Sequence, residues 1–328
     1  MTVPVAIVGS ADRTGRDFAV DAAVSQCVSA ALAAARLALA DIDAVVTTGS
    51  DALDGGMVGV RAGIAGGYGR ELLSVPSSGG HAFAAAVSLV QSGQARNVIV
   101  AGWGEGTKFA LRDGRGLQAD PFYARAVGAD AAAMTALQAQ RLVADGVLTV
   151  KDLAAYGAAM RCRTEGAGAG TGGIEPWLQT QWTDGACAIV LQTGEAGVRV
   201  ADIGTSFRGY TPPADDLDPG GWISMAMPGM ENIAGEALTV VEASGPAAVT
   251  ELAALRPVLA CAGWAATDQR VNASGGGAMA FLGPATGLRH IALTARALAK
   301  REGRGIAIDL AGPIGQAASV VVLEGTAR

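Results

Sequence analysis

The sequence predicts an α/β fold made from two copies of one βαβαβ-like unit. Strand-like and helix-like segments alternate, and the strand-like segments are continuous apolar runs, which is typical of strands covered by helices on both faces. The same order occurs twice: SSGG, a helix and NVIVAGW in the first half correspond to ASGGG, a helix and GIAIDLAG in the second. One duplicated unit accounts for both halves more simply than unrelated pieces, and buried strands favour mixed, mostly parallel sheets.

The first half alternates apolar runs with Ala-rich or charged segments. The apolar runs predict strands at residues 3–8, 41–48, 97–101 and 185–192. The Ala-rich and charged segments predict helices at residues 18–39, 81–93 and 128–162. Gly93 closes the second of these helices, because glycine commonly follows a helix C-terminus. The sequence GAGAGTGG at 166–173 predicts a flexible loop.

The second half repeats this order around a second glycine turn, NASGGG at 272–277. Its apolar runs predict strands at residues 238–242, 305–310 and 318–323. A helix is expected from residue 246 onward and another at 288–300. We expect an N-terminal half at 1–195, with a reduced loop insertion at about 107–180, and a C-terminal half at 196–328.

Composition excludes several classes of protein. Of 328 residues, 50% are hydrophobic and 16% are charged, which excludes a disordered chain. The net charge of -6 and the lack of a Lys/Arg block argue against a nucleic-acid partner. No apolar run reaches the ~18 residues of a membrane span, and the opening VPVAIV resembles a strand more than a signal peptide. Four single cysteines and two histidines predict neither disulfides nor a metal site, so we expect a cytoplasmic protein.

Several short motifs occur in a characteristic order. Ser78-Gly79-Gly80 with Ala82 matches the motif S-G-x-x-A, and the sequence at 183–186 matches the motif T-D-G-A, which opens a strand. The second half contains N-x-S-G-G at 272–276 and A-T-G-L-R at 285–289. Together these motifs resemble the thiolase superfamily, and most closely its sterol carrier protein X and lipid-transfer-type aldolase branch. The resemblance implies a layered α-β-α-β-α sandwich that handles acyl-CoA thioesters.

The chain departs from this family at the positions that carry its chemistry. Pro76 stands where the family has its acyl-accepting cysteine, and Ala311 stands where it has a second, acid/base cysteine. The stretch Leu282-Gly283-Pro284 lacks the histidine of the G-H-P motif, and Ser244 and Gly245 replace the histidine and aspartate of V-E-x-H-D. Proline offers neither a nucleophile nor a backbone N–H. We therefore do not expect ordinary Cys/His thiolysis or Claisen condensation.

The remaining polar groups near these motifs are candidates for chemistry. The weak catalytic candidates are Ser77, Ser78, His81 and Ser244. One of the two adjacent serines is expected to cap the following helix, and His81 lies in that helix's first turn. The predicted substrate-binding residues are Pro76, Gly79, Ser244, Asn272, Gly275, Gly276, Gly283 and Gly315. Backbone amides of the glycine turns could stabilise an oxyanion.

Other residues have a structural interpretation beside a functional one. The apolar stretch at 223–227 could line an acyl pocket or belong to the core, and Cys187 and Cys261 are interpreted as core residues. The phenol of one of the four tyrosines could replace the lost residues in retro-aldol chemistry, but none occupies a motif position, and they are interpreted as surface or interface rings. The cations that could contact CoA phosphates are Arg61, Arg70, Lys108, Arg112 and Arg115, for which scattered surface charge is the alternative.

Two functions remain open at this stage. The first is a cysteine-independent carbon–carbon lyase of the retro-aldol type that acts with a partner subunit, and the second is an inactive subunit that scaffolds an active thiolase partner. An esterase-like or ligand-binding protein is a third, weaker reading. The resemblance implies a homodimer or heteromer in which the strand at 97–101 meets its twin. It also implies a small zinc-ribbon/OB-fold partner that would hold any zinc, and no cofactor beyond the CoA of the substrate.

Overall fold

The computed structural model describes residues 3–15, 19–49, 57–76, 78–107, 125–163, 181–208, 217–227, 237–277, 280–299 and 301–326. These ranges contain nine strands and eight α-helices. The strands are β1 Val5–Gly15, β2 Ala44–Thr48, β3 Glu71–Ser74, β4 Asn97–Glu105, β5 Asp184–Thr193, β6 Val198–Phe207, β7 Leu238–Ser244, β8 Gly303–Ala311 and β9 Ala317–Gly325. The helices are α1 Val20–Ala35, α2 Met57–Ala62, α3 Gly79–Gln91, α4 Ala131–Ala144, α5 Val150–Arg163, α6 Pro219–Ala226, α7 Ala248–Ala262 and α8 Ala285–Leu298.

The described strands form one mixed sheet in the order β3-β2-β4-β5-β1-β6-β9-β8-β7. Parallel pairing joins β2 to β3 and β4, and β7 to β8, whereas the other five ladders are antiparallel. The α/β class and the mixed sheet are confirmed, but the expected excess of parallel pairs is wrong. One reason is the short connection between β8 and β9, because a parallel crossover needs a dozen or more residues.

Three hydrophobic clusters show that helices pack both between the two ends of this sheet and on its outer sides. The layers therefore follow the order α-β-α-β-α. The first contains α1 and first-half strands, including Val24 and Ile99. The second contains Phe83 of α3 and Leu288 of α8 with strand residues from both ends of the sheet. The third contains α4 to α7 with β7, β8 and β9. The helices α3 and α8 therefore lie in the central layer of the α-β-α-β-α sandwich that the resemblance implies.

Small residues allow these layers to approach closely. A Cβ on Gly9 of β1 would lie 2.1 Å from the carbonyl oxygen of Ala31 in α1. A Cβ on Gly79, at the start of α3, would lie 2.4 Å from the backbone nitrogen of Leu288 in α8. Any larger residue at either position would push a helix away from its neighbour.

Several elements differ from the sequence-based expectation. The helical region at 128–162 is two helices, because Gly146 has φ +70° just after α4. Strand β6 and helix α6 were not predicted, although Asp218 caps α6 with Pro219 at its first position. The loop predicted at 166–173 and part of the insertion at 107–180 lie outside the described residues. The division at residue 195 stays a prediction.

Strand β4 lies inside the sheet and β3 lies at its edge. Both sides of β4 are paired, with β2 and with β5. The expectation that residues 97–101 meet a twin strand is therefore wrong, because an interior strand has no free backbone edge. All four residues of β3 are exposed, and β2 is its neighbour in the sheet. In the part of the chain that the structure describes, no helix is both long and apolar enough to cross a membrane.

Candidate functional site

A buried carboxylate, Asp309 in β8, gathers polar groups from both halves of the chain. Ser78 Oγ donates a hydrogen bond to Asp309 Oδ2 at 2.7 Å, and the Gly80 backbone N–H donates to the same oxygen at 2.8 Å. Ser244 Oγ, at the end of β7, donates to Asp309 Oδ1 at 2.9 Å. The structure thus brings the candidates Ser78 and Ser244 to one carboxylate that is 4% exposed. Sequence reasoning missed Asp309, although an acid inside the apolar run GIAIDL was a usable signal.

Glycines of two motifs leave room for this carboxylate. A Cβ on Gly287 of α8 would lie 1.9 Å from Asp309 Cγ. A Cβ on Gly80 would lie 1.7 Å from Ser319 Oγ, and Ser319 is the cross-strand neighbour of Asp309. Atoms cannot approach so closely, so only glycine fits at Gly80 of S-G-G and at Gly287 of A-T-G-L-R, next to Asp309.

Ser78 caps α3 and also orients His81. Its Oγ accepts a hydrogen bond from the His81 backbone N–H at 3.2 Å and lies 3.0 Å from His81 Nδ1. The single hydroxyl hydrogen of Ser78 points to Asp309, so Oγ acts as an acceptor toward the imidazole. This network assigns the proton of neutral His81 to Nδ1 and leaves the lone pair on Nε2. The expected cap is confirmed for Ser78.

The turn before α3 carries no acyl-accepting group in the described residues. Pro76 is exposed at the position where the resemblance places a cysteine, and Ser77 lies outside the described residues. Ser78 is 1% exposed, and its hydroxyl is already bonded. The N–H of Gly79, at the N-terminal end of α3, has no acceptor among the described groups. A helix N-terminus of this kind favours developing negative charge nearby.

A second buried network lies behind the 272–277 turn. Asn272 Oδ1 accepts the Ala243 N–H at 2.5 Å, and Asn272 Nδ2 donates to the Tyr156 hydroxyl oxygen at 2.7 Å. Tyr156 donates to Glu251 Oε2 at 3.1 Å, and Glu251 Oε1 accepts the Gly245 N–H at 3.1 Å. Desolvation, with the neighbouring Glu251 charge, raises the pKa of Tyr156 well above its usual value, so the phenol remains a donor.

Neither Tyr156 nor Glu251 was a predicted site residue. Tyr156 was interpreted as a surface or interface ring, and that interpretation is wrong because α5 packs on α7 and buries the ring. Tyr68 is exposed as expected. Tyr123 and Tyr210 lie outside the described residues.

The predicted glycines occupy different places. Gly276, with φ +81°, lies against the second network, since a Cβ there would lie 2.6 Å from Glu251 Oε2. The Gly275 N–H donates to the Asn272 carbonyl oxygen at 2.8 Å within the turn. Gly315 lies in the β8–β9 connection near Thr250, and a Cβ on Gly283 would meet nothing within 4 Å. Substrate binding by these glycines stays a prediction.

The other histidine belongs to a third buried group. His290 of α8 is fully buried, and its Nδ1 lies 3.2 Å from Glu242 Oε2 without the alignment of a hydrogen bond. Ser274 Oγ donates to Glu242 Oε2 at 2.6 Å, and the Ser274 N–H donates to Oε1 at 3.2 Å. This agrees with the interpretation of His290 as a packed residue.

The remaining candidates are held by structural contacts. Arg61 pairs with Asp21 and Glu105, and Arg70 donates to the backbone carbonyl oxygens of Ile42, Gly66, Tyr68 and Leu39. Lys108, Arg112 and Arg115 lie outside the described residues. In the stretch at 223–227, the side chains of Ile223, Ala226 and Met227 are buried in the hydrophobic cluster of α4 to α7, whereas Ser224 and Met225 are exposed, so the core interpretation holds for three of the five residues.

The four cysteines divide into two buried and two exposed residues, and the buried pair lacks the features of an activated nucleophile. Desolvation raises the pKa of Cys27 to about 11 and the pKa of Cys187 well above its usual value, because burial disfavours the thiolate. Cys162 and Cys261 are exposed, on α5 and near the end of α7. The interpretation of Cys261 as a core residue is wrong, because it lies on the outer face of the last turn of its helix.

This arrangement predicts a clear division in thiol reactivity. At mildly alkaline pH a chromogenic disulfide reagent is expected to modify Cys162 and Cys261 rapidly in the folded protein, whereas Cys27 and Cys187 react only after denaturation. Mass spectrometry of digested, time-resolved samples checks this. A Cys162→Ser/Cys261→Ser variant is the matched control and should lose the rapid phase. Rapid labelling of Cys187 would contradict the assignment.

Comparison with solved structures finds thiolases. The Acat5 thiolase from Ascaris suum, in complex with coenzyme A, is 15% identical and matches 98% of this chain and 100% of its own with a TM-score of 0.73. Human mitochondrial 3-ketoacyl-CoA thiolase (15% identity, TM-score 0.74) and an acetyl-CoA acetyltransferase from Syntrophomonas wolfei (16% identity, TM-score 0.72) each match 99% of this chain and 99% of their own. No protein-family model and no curated protein matches the sequence. The likeness establishes a thiolase fold.

Proposed function

We propose that this chain handles acyl-CoA thioesters and cleaves a carbon–carbon bond of a β-hydroxyacyl-CoA without a covalent acyl-enzyme, together with a partner subunit. The observation that carries the proposal is His81, whose Nδ1 is held by Ser78 and whose Nε2 is left as a base. Pro76, in the turn before α3, occupies the position where a covalent mechanism would need a nucleophile. The complex of a protein of the same fold with coenzyme A supports the choice of ligand.

The reaction needs one base and one stabilised anion. His81 Nε2 would accept the β-hydroxyl proton as the bond between the α- and β-carbons breaks, which releases an aldehyde or ketone and leaves the thioester enolate. The Gly79 N–H at the start of α3 would donate to the enolate oxygen. The imidazolium would then return its proton to the α-carbon, which yields the shortened acyl-CoA and restores the base.

A second proposal is a catalytically inactive subunit that scaffolds an active thiolase partner. It is favoured by the hydrogen bonds of the two candidate serines, because the hydroxyl groups of Ser78 and Ser244 each donate to Asp309. This carboxylate joins the start of α3 to the ends of β7 and β8, which is a sufficient structural reason for its presence.

One assay separates the two proposals. The purified chain, alone and co-expressed with the products of neighbouring genes, is incubated with β-hydroxyacyl-CoA and β-ketoacyl-CoA panels, and thioester products are followed by mass spectrometry. Cleavage of the hydroxy series that is lost in His81→Gln supports the lyase. Products that need a partner and survive His81→Gln support the scaffold. Thiolysis of the keto series by this chain alone would refute both.

The exposed edge of β3 supports a homodimer. Leu72 and Leu73 on this strand are 47% and 39% exposed, and the exposed side chains of Leu39, Val60 and Tyr68 belong to neighbouring segments. We propose that β3 pairs with its twin, because an apolar unpaired edge favours strand addition. A heteromer with another thiolase-like subunit and a small zinc-ribbon/OB-fold partner remain further proposals.

Placing a lysine on this edge is expected to convert the dimer to a monomer. Leu72→Lys adds a charge that must be buried in the paired sheet, whereas Leu137→Lys, on the exposed face of α4, is the matched control and should remain dimeric. Sedimentation velocity measures both. A wild-type chain that is monomeric by itself would contradict the homodimer, and a dimer in Leu72→Lys would place the interface elsewhere.

A further inference from the structure

Helix α5 holds the 272–277 turn with two side chains. Arg163, its last residue, donates to the carbonyl oxygens of Val271 and Asn272 and to those of Thr267 and Asp268. Tyr156, two turns earlier, accepts a hydrogen bond from the Asn272 side chain. The turn is therefore held by a helix of the expected insertion at about 107–180, which carries none of the recognised motifs.

The tyrosine hydroxyl completes a chain of oriented groups. Asn272 is fully buried with φ +46°, and both ends of its amide are used, one by Tyr156 and one by the Ala243 N–H. Glu251 fixes the hydroxyl from the other side and binds the Gly245 N–H. Removing the hydroxyl would take away the acceptor of the buried Asn272 amide N–H and one of the donors to Glu251, which is costly.

The same turn contacts the group that orients His81. A Cβ on Gly277 would lie 2.8 Å from the Cα of Ser244, and Ser244 donates to Asp309. Asp309 in turn accepts from Ser78, which holds His81. A shift of the turn would therefore move Ser244 and disturb the hydrogen bonds behind the imidazole.

We propose that Tyr156 is a positioning residue: through the Asn272 amide it holds the 272–277 turn and the end of β7 in the arrangement that the acyl-CoA site requires. Its effect on substrate rests on the proposed function, whereas its effect on the turn does not. Glu251 serves the same purpose. Its carboxylate accepts a hydrogen bond from the Tyr156 hydroxyl at one oxygen and from the Gly245 N–H at the other, whereas the NH₂ group of a glutamine would face one of these two donors and could not accept its hydrogen bond.

The test compares Tyr156→Phe with Tyr68→Phe, which removes a hydroxyl from an exposed ring. Amide hydrogen exchange is measured at Ala243 and Gly245 and, as an internal reference, at Val100 in β4. In Tyr156→Phe the exchange at Ala243 and Gly245 is expected to accelerate at least about tenfold relative to Val100. In Tyr68→Phe all three should remain unchanged. Equal acceleration at all three would show a general loss of stability and overturn the proposal.

Kinetics supply the second arm. With an active wild-type protein, Tyr156→Phe is expected to lower kcat about tenfold, because the base is displaced, and to raise KM by more than about twofold, because the shifted turn carries the predicted substrate-binding residues Asn272, Gly275 and Gly276. Glu251→Gln should behave in the same way. If amide exchange in Tyr156→Phe accelerates at Ala243 and Gly245 but kcat is unchanged, the proposed link between the 272–277 turn and the acyl-CoA site is overturned. A wild-type chain that neither binds nor cleaves the thioester refutes the proposed function, and the exchange arm still decides the role of Tyr156.

Discussion

Replacing Asp309 by alanine is expected to lower the free energy of unfolding by about 4 kcal/mol. The change leaves two serine hydroxyls and the Gly80 N–H without their acceptor inside the protein, and hydrogen bonds to a charged group contribute about 1.5–3 kcal/mol each. Some of this is recovered by relaxation and by water. Urea unfolding measures the loss, and the melting temperature should fall by roughly 6 °C.

Asparagine at the same position should cost about half as much. Its amide oxygen can face Ser78 and Gly80, while its NH₂ group faces Ser244, whose hydroxyl can turn to accept. Asp145→Ala is the matched control, because Asp145 forms an exposed pair with Arg141 and such pairs contribute about 0.5 kcal/mol or less. Equal stability of Asp309→Ala and the control would mean that Asp309 does not join the two halves.

Local sequence patterns predicted the positions of the strands better than they predicted whether neighbouring strands run parallel or antiparallel. The buried runs of β2, β4, β5, β8 and β9 were recognised because each is a continuous apolar segment. Strand β6 was missed because buried and partly exposed residues alternate irregularly along it. The excess of antiparallel ladders was missed because hydrophobicity carries no information on strand direction.

The candidate site could be predicted where a motif marked it. Ser78, Ser244 and Asn272 were named as candidates because they belong to recognisable motifs, and the fold brings them near one another, while their roles in chemistry or binding stay predictions. Asp309 lies 231 positions from Ser78 and Tyr156 lies 116 positions from Asn272, so neither partner follows from local sequence. These contacts form only because the fold packs the central helices α3 and α8 and the outer helices α4 to α7 against the same sheet.

Replacing His81 by glutamine is expected to lower kcat for β-hydroxyacyl-CoA cleavage about a hundredfold or more, since a general base contributes about 10²–10⁴-fold. Glutamine can still bond Ser78 but has no lone pair of comparable basicity. The dissociation constant for the thioester, measured by calorimetry, should change by less than about twofold. A Ser78→Ala variant should show a smaller loss, because it frees the imidazole without removing it.

The tautomer of His81 can be tested even without a substrate. The chain contains two histidines, so selective isotope labelling gives two imidazoles, one partly exposed and one fully buried. Nitrogen chemical shifts of neutral His81 are expected to show the proton on Nδ1, and Ser78→Ala should remove this preference, since the acceptor at 3.0 Å is lost. His290 should be unaffected by that substitution. A proton on Nε2 in the wild-type protein would mean that Ser78 donates to the ring, and that Asp309 does not direct the base.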